Sequence, residues 1–430
     1  MKKNKLLSGK WALLGGKVYD PYKDQMSKKD ILISNGKIEV LGKVKDENGV
    51  HVIDCSGKII TTGFTDTRSH FKQPGDGYVE TIDSGIASAM AGGYTSVCLM
   101  SDNKNPLDNP ENIKNIFNSS KDCAIDLLPI GSASINHEGR ELCEYGCMVE
   151  EGAFAFSDTF SPVKNSQFLK YALEYSGMYG ALIVSYPKDE GLSNGGIVNE
   201  GPVSTRLGLQ GIPNIAESIM VFRDLTIAQG VNQKIHIPLV STRESIAIIK
   251  EFQKKNVRVT ADVSPHHIFF NEERISNYDC NAKVYPPLRS EEDRKAIIKA
   301  IKDEVITSIC SDHYPCSSED KERDVKHAPF GTISLESAFC LVYTELIKHG
   351  FDIKDVIKLF TIGPRNIFNL PKQSIAVGCL ANFAVIDPDA SWVFNESDIY
   401  SKSKNSIALG AELSGKIDLT IFGKHSFGSI

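Results

Sequence analysis

No stretch of this 430-residue chain approaches the ~18 consecutive apolar residues of a membrane-spanning helix, so no transmembrane segment is predicted. The opening MKKNKLLSGKWALLGG is basic, but Lys10 and the Gly15-Gly16 pair interrupt its apolar part, and no secretory leader is expected. The ten cysteines include no Cys-x-x-Cys pair and no disulfide-dense segment, which reads as mostly buried thiols in a reducing cytoplasm. Cys143 and Cys147, four apart, predict one face of a helix. There is no excess of positive charge: 48 Lys and Arg stand against 54 Asp and Glu, a net −6. That balance excludes a nucleic-acid or anionic-membrane surface and leaves a small-molecule ligand. Low-complexity tracts are also missing. With 41% hydrophobic and 24% charged residues, 34 Gly and 18 Pro, disordered and fibrous classes are excluded.

What is present is enough chain for two or three compact units, or for one large barrel with an accessory domain. The N-terminal runs WALLGGKVYD, DILISNGKIEVLG and HVIDCSGKII alternate and are punctuated by an Asn35-Gly36 turn signal, the pattern of β hairpins. A similar run, SIAVGCLANFAVIDPD, returns after about residue 370, so residues 1–58 and 373–430 are expected to build one small β domain together.

Between them, residues 59–372 alternate short β-branched runs with amphipathic stretches, the signature of repeated βαβ units. Eight runs stand out: 59–66, 94–100, 123–131, 152–157, 181–185, 234–240, 257–263 and 305–311. Helical stretches such as SQFLKYALEYSGM and TRESIAIIKEFQKK separate several of them. Eight units predict a (β/α)8 TIM barrel, with a doubly wound open sheet as the alternative. In a barrel, catalytic groups collect at the C-terminal strand ends. Those ends carry Asp66, Arg68, His70 and Lys72 on the first strand, Asp102 and Asn103 on the second, Asp158 on the fourth and Ser185 on the fifth. Leu239 follows the sixth, His266 and His267 the seventh, and Asp312 and His313 the eighth.

GFTDTRSHFKQPG followed by ETIDSGIASAMAGGYTSVCLM resembles the opening of dihydroorotase, an amidohydrolase-superfamily enzyme of pyrimidine synthesis. EGAFAFSD, NEGPVSTRLGLQGIP, VSTRESIAIIK, VTADVSPHH, YPPLRSEEDR, SDHYP and APFGTISLESAF follow in the family's order, so the resemblance spans roughly residues 10 to 390. It implies a metallo-dependent hydrolase barrel and a composite β domain. It also implies one or two zinc ions, which polarise a cyclic amide carbonyl and lower the pKa of bound water toward ~7. Such a site needs about three protein ligands and one open position per zinc.

Carried over by position, the family's ligands are only half retained. His70, Asp158 and the proton-moving Asp312 match, while Arg68, Ser185 and Leu239 stand where the family has histidines. Substrate contacts change too: Lys72 replaces an Arg and so loses its bidentate fork, Tyr285 replaces an Asn, and Cys316 replaces a His. The family's Asn after the second strand falls at Asp102 or Asn103, in a loop that carries one extra residue, and Pro329 and Gly331 of APFG are kept. The expectation is that Arg68 takes the metal's electrostatic place by pairing with both Asp158 and Asp312, leaving no zinc or a single weakly held one. His266 and His267 are expected to pack, His313 to orient its loop, and Cys316 to be an inert thiol. The losses resemble those of dihydroorotase-like chains that serve as assembly partners of aspartate carbamoyltransferase. A homodimer, a non-catalytic role and a pyrimidine precursor as ligand are therefore expected. The alternative is an active dihydroorotase, interconverting N-carbamoyl-L-aspartate and dihydroorotate, with one metal held by His70, Asp312 and a neighbour such as His313.

Overall fold

The short β-branched runs of the middle region form eight parallel strands. In the computed structural model, which describes residues 4–45, 49–73, 75–101, 104–120 and 123–428, they are β1 (Phe64–Ser69), β2 (Tyr94–Leu99), β3 (Asp126–Pro129) and β4 (Ala155–Phe156). They continue as β5 (Leu182–Val184), β6 (Ile235–Ile237), β7 (Val259–Val263) and β8 (Ser308–Ile309). Each pairs with the next, and single bridges Gly131 to Phe156 and Ser69 to His313 join β3 to β4 and β8 to β1. The ring is therefore closed, which excludes the open sheet.

Helices cover its outside because their apolar residues fall on one face. In Arg243–Lys254 the buried Ile246, Ile249 and Phe252 recur at three-residue intervals. The Thr242 hydroxyl caps this helix by accepting from the Ser245 amide, and Ser290 does the same for Glu291–Lys302. Glu291, Glu292 and Asp293 also place negative charge on that helix's positive end. Among the described residues no helix is long and apolar enough to cross a membrane.

Both ends of the chain build the flanking β structure. A seven-stranded sheet pairs Asn4–Leu6 with His425–Gly428 and Ile59–Thr62 with Asn382–Val393, and a four-stranded sheet holds the hairpin at Asn35-Gly36. Both turn residues have positive φ, 51° and 76°, as a two-residue hairpin turn with the right twist demands. Leu13, Ile31, Ile33, Phe383, Val385, Leu419 and Ile421 fill one core between the two sheets.

The run 59–66, expected as a single barrel strand, is divided. Ile59–Thr62 lies in the seven-stranded sheet, and Phe64 begins the barrel. Gly63 makes the joint. A Cβ there would sit 2.2 Å from Thr95 Oγ1 and 2.3 Å from Asn382 Oδ1, so the close approach of the two parts requires glycine. Cys143 and Cys147 do not share a helix face either: the helix Tyr145–Glu150 starts after Cys143, which is buried while Cys147 is exposed.

Candidate functional site

The C-terminal strand ends gather an ionisable cluster that is closed from water. The strain is local: Asp312 and Leu239, at the ends of the β8 and β6 regions, adopt left-handed backbone, φ 50° and 57°. Leu239 is pinned there because its amide donates to Asp262 Oδ1 at 2.8 Å. Asp262 also accepts from Thr67 and pairs with His236 Nε2 at 3.1 Å; despite burial, these partners hold its carboxyl below the usual range.

Arg68 is 1% exposed, and its Nε donates to Asp312 Oδ1 at 3.1 Å. Burial pushes the Asp312 carboxyl up to about 7, against the opposing pull of the guanidinium. The expected double pairing is not formed. Asp158 instead accepts from the amides of Ala133 and Ser134 at 2.9 and 2.8 Å and from the Ser134 hydroxyl at 2.6 Å, so its lone pairs are already engaged. Burial still raises it to about 6. Nη1 and Nη2 of Arg68 have no hydrogen-bond partner among the described residues; the guanidinium lies instead over the rings of Phe160, at 4.8 Å, and Tyr186, at 5.5 Å.

His70 stacks on Phe160 at 5.0 Å and meets the edge of Tyr314 at 4.9 Å. Its Nε2 is buried without a described partner, and burial together with Arg68 and Lys72 keeps the ring well below the ordinary imidazole value. Lys72 lies over Tyr314, with Nζ 3.7 Å from the ring centre. Ser185 is turned outward: its hydroxyl donates to Asp224 on helix Ile215–Val231 at 2.6 Å. Leu239 packs with Tyr186 and Cys310, flanked by Phe160 and Tyr285.

The remaining expected positions spread along the mouth. Tyr285 tilts against Tyr186 at 5.9 Å and meets Phe330 edge-on at 5.5 Å. Cys316 is buried, its Sγ near the carbonyls of Tyr314 and Phe330, and burial pushes the thiol up. Pro329 accepts from Lys321, and Gly331 abuts the Tyr314 ring so closely that a Cβ would lie 2.3 Å from Cδ1. Asp102 and Asn103 lie outside the described residues. His313 Nδ1 accepts from the amides of Ser334 and Leu335, so its Nε2 carries the proton toward Glu80 at 3.4 Å. His267 bonds Ser264 at 2.7 Å, while both ring nitrogens of His266 lack described partners.

Sequence reasoning missed Phe160, Tyr186 and Tyr314, which together fill the space around Arg68 and His70. Each lies one or two residues beyond a position singled out at a strand end, and an aromatic in such a loop was the available signal. Zinc meets a poor donor set here. Among the described residues no three His, Cys, Asp or Glu side chains gather as a metal ion needs. A guanidinium is fixed on Asp312, and Asp158 already accepts three hydrogen bonds, two on Oδ1 and one on Oδ2.

The Dihydro-orotase-like family matches residues 57–245 and the Amidohydrolase family residues 204–421. A dihydroorotase of Caldicellulosiruptor saccharolyticus is 40% identical over 403 residues, covering 93% of this chain and 94% of that protein. One from Pelotomaculum thermopropionicum is 39% identical, covering 96% and 97%. The fold matches solved structures of the L-hydantoinase from Arthrobacter aurescens (TM-score 0.83, 20% identity, 99% of this chain and 97% of that one) and the dihydropyrimidinase from Brevibacillus agri (0.82, 18%, 96% and 94%). With relatives of this identity along nearly its whole length, the chain belongs to the dihydroorotase family of amidohydrolases.

Proposed function

We propose that this chain is a dihydroorotase-family protein of pyrimidine biosynthesis whose zinc site has degenerated, and that it serves as a non-catalytic or weakly active subunit associated with aspartate carbamoyltransferase. The observation that carries this reading is Arg68, buried beside Asp312 where the relatives' pattern calls for a metal-binding imidazole. A guanidinium can neutralise a carboxylate, but it cannot lower the pKa of a bound water and so provides no hydroxide at neutral pH. The packing of Phe160 against both Arg68 and His70 supports the same reading, since it leaves little room for a substrate beside them.

A subunit role needs a surface. Ile215, Ile219 and Phe222 recur along one face of helix Ile215–Val231 and are 55%, 53% and 55% exposed. Such an apolar stripe suits a protein partner or a second copy of the chain. The alternative, an active enzyme with a reduced metal site, draws support from the Nε2 of His70, which has no hydrogen-bond partner among the described residues. The test is metal analysis and a dihydroorotate hydrolysis assay on the full chain purified without chelators, beside co-purification with aspartate carbamoyltransferase from the same cells. The expected result is far less than one zinc per chain, no turnover above background and a stable complex. Stoichiometric zinc with turnover would establish the active enzyme instead.

A further inference from the structure

Outside the closed cluster, the loops after β5, β7 and β8 enclose a cavity of about 990 Å³, at the upper end of the size that small-molecule sites occupy. Tyr285 and Phe330 form its wall toward the barrel axis, and Tyr285 packs on Tyr186, which in turn covers Arg68. The cavity is thus separated by aromatic rings from the position where the relatives' pattern places metal.

Its lining is cationic. Lys188, Lys283 and Lys326 face one carboxylate, Glu190, whose charge is engaged by Lys164 at 2.6 Å. Lys283 donates to the carbonyls of Val325, Lys326 and Ala328, so it is hydrogen-bonded but not neutralised. Lys188 is half-buried, and its Nζ has no hydrogen bond or ion pair among the described residues. Its contact is the face of Tyr285, at 4.6 Å, just as Lys283 lies 4.8 Å over Phe330. Burial pulls both ammonium groups below the ordinary lysine value, which means that each charge lacks the solvation an anion would restore. Gln210 and Asn194 add neutral amides to the same wall.

We propose that this cavity is a binding site for a small molecule bearing a carboxylate or phosphate group, with Lys188 as the residue that receives the anion. Two ammonium groups above a pair of packed rings offer charge at one level and an apolar face beneath it. The site does not depend on the state of the inner cluster, and its test is silent about zinc. The test is isothermal titration of the full chain with sodium phosphate and, separately, sodium succinate, at ionic strength matched with chloride and with a chelator present. One of the two is expected to saturate at one per chain, and which one does so identifies the anionic group. A charge-assisted hydrogen bond of ordinary strength implies that Lys188→Met weakens that binding about tenfold or more, while Lys188→Arg keeps it within a few-fold. Lys188→Gln, held to the same tenfold loss, replaces the methionine variant if that one melts early. Failure of both anions to saturate, or equal affinity in the charge-removed variant, overturns the proposal.

Discussion

A carboxylate as enclosed as Asp312 is costly to ionise, and Arg68 is the cation that offsets the cost. The pair is better judged by what happens when one partner goes than by its own net contribution. Arg68→Met leaves Asp312 buried without its cation, and Asp312→Asn leaves a guanidinium whose Nη atoms already lack hydrogen-bond partners among the described residues. Each single change is expected to lose about 3 kcal/mol or more in urea unfolding at pH 8. The double variant removes both charges, so its loss should be well below the sum of the two, with a coupling of at least about 1 kcal/mol. Asparagine is chosen because it tolerates the left-handed backbone at position 312, where φ is 50°. Strictly additive losses would mean that Arg68 acts through packing on Phe160 and Tyr186 and not through charge.

Among the elements, the short helix Pro265–Phe269 carries the plainest pH dependence. Burial depresses His266 to about 3 and His267 to about 4, against an ordinary 6.5. In the unfolded chain both titrate near 6.5, so between that pH and about 4 the unfolded state binds more protons. Their contribution to stability is therefore whole above pH 6.5 and falls as the pH drops below it. Both ring nitrogens of His266 lack described partners, so replacing the ring forfeits no hydrogen bond there. His266→Leu should be close to neutral at pH 8 and more stable than the parent at pH 5, by about 1 kcal/mol or more, read from melting curves at the two pH values. Equal differences at both would show that the imidazole takes up its proton as readily in the fold as in the unfolded chain. The eight barrel runs, the Asn35-Gly36 hairpin and the shared terminal sheet follow from periodicity and turn chemistry, which are local. The role of Gly63 is hidden because Ile59–Thr62 and Phe64–Ser69 read as one β run, and the division comes from the approach of Thr95 and of Asn382, from far along the chain. The expectation that Arg68, Ser185 and Leu239 stand where the family has imidazoles rests on position in the resemblance alone. The aromatic filling by Phe160, Tyr186 and Tyr314 was not legible, because loop side chains meet through tertiary packing that no spacing encodes. The engagement of Asp158 by Ser134 was invisible for the same reason.

At the scale of the whole molecule, the barrel shares its fold with the hydantoinase and dihydropyrimidinase structures, and its mouth holds a guanidinium and three rings that the proposed reading takes as the replacement for a metal. If that is so, the frame should accept the ligands back. Arg68→His would free Asp312 and restore an imidazole beside His70; Leu239→His falls on a backbone with φ 57°, a conformation in which His is enriched; Ser185→His gives up the bond to Asp224. Asp158 must then exchange some of its hydrogen bonds for a metal, so uptake is expected to be incomplete in character, near one zinc per chain and not two. The triple variant should show zinc by metal analysis after dialysis, and its melting temperature should rise with added zinc, by the equivalent of about 2.7 kcal/mol once free zinc reaches a hundred times the dissociation constant. Turnover should still be absent on the proposed reading, because Phe160 remains stacked on His70 and limits access to the restored site. It should become measurable only when Phe160→Ala is added. A triple variant that folds but takes up no zinc would count against the proposal that the three substituted positions decide metal binding in this barrel.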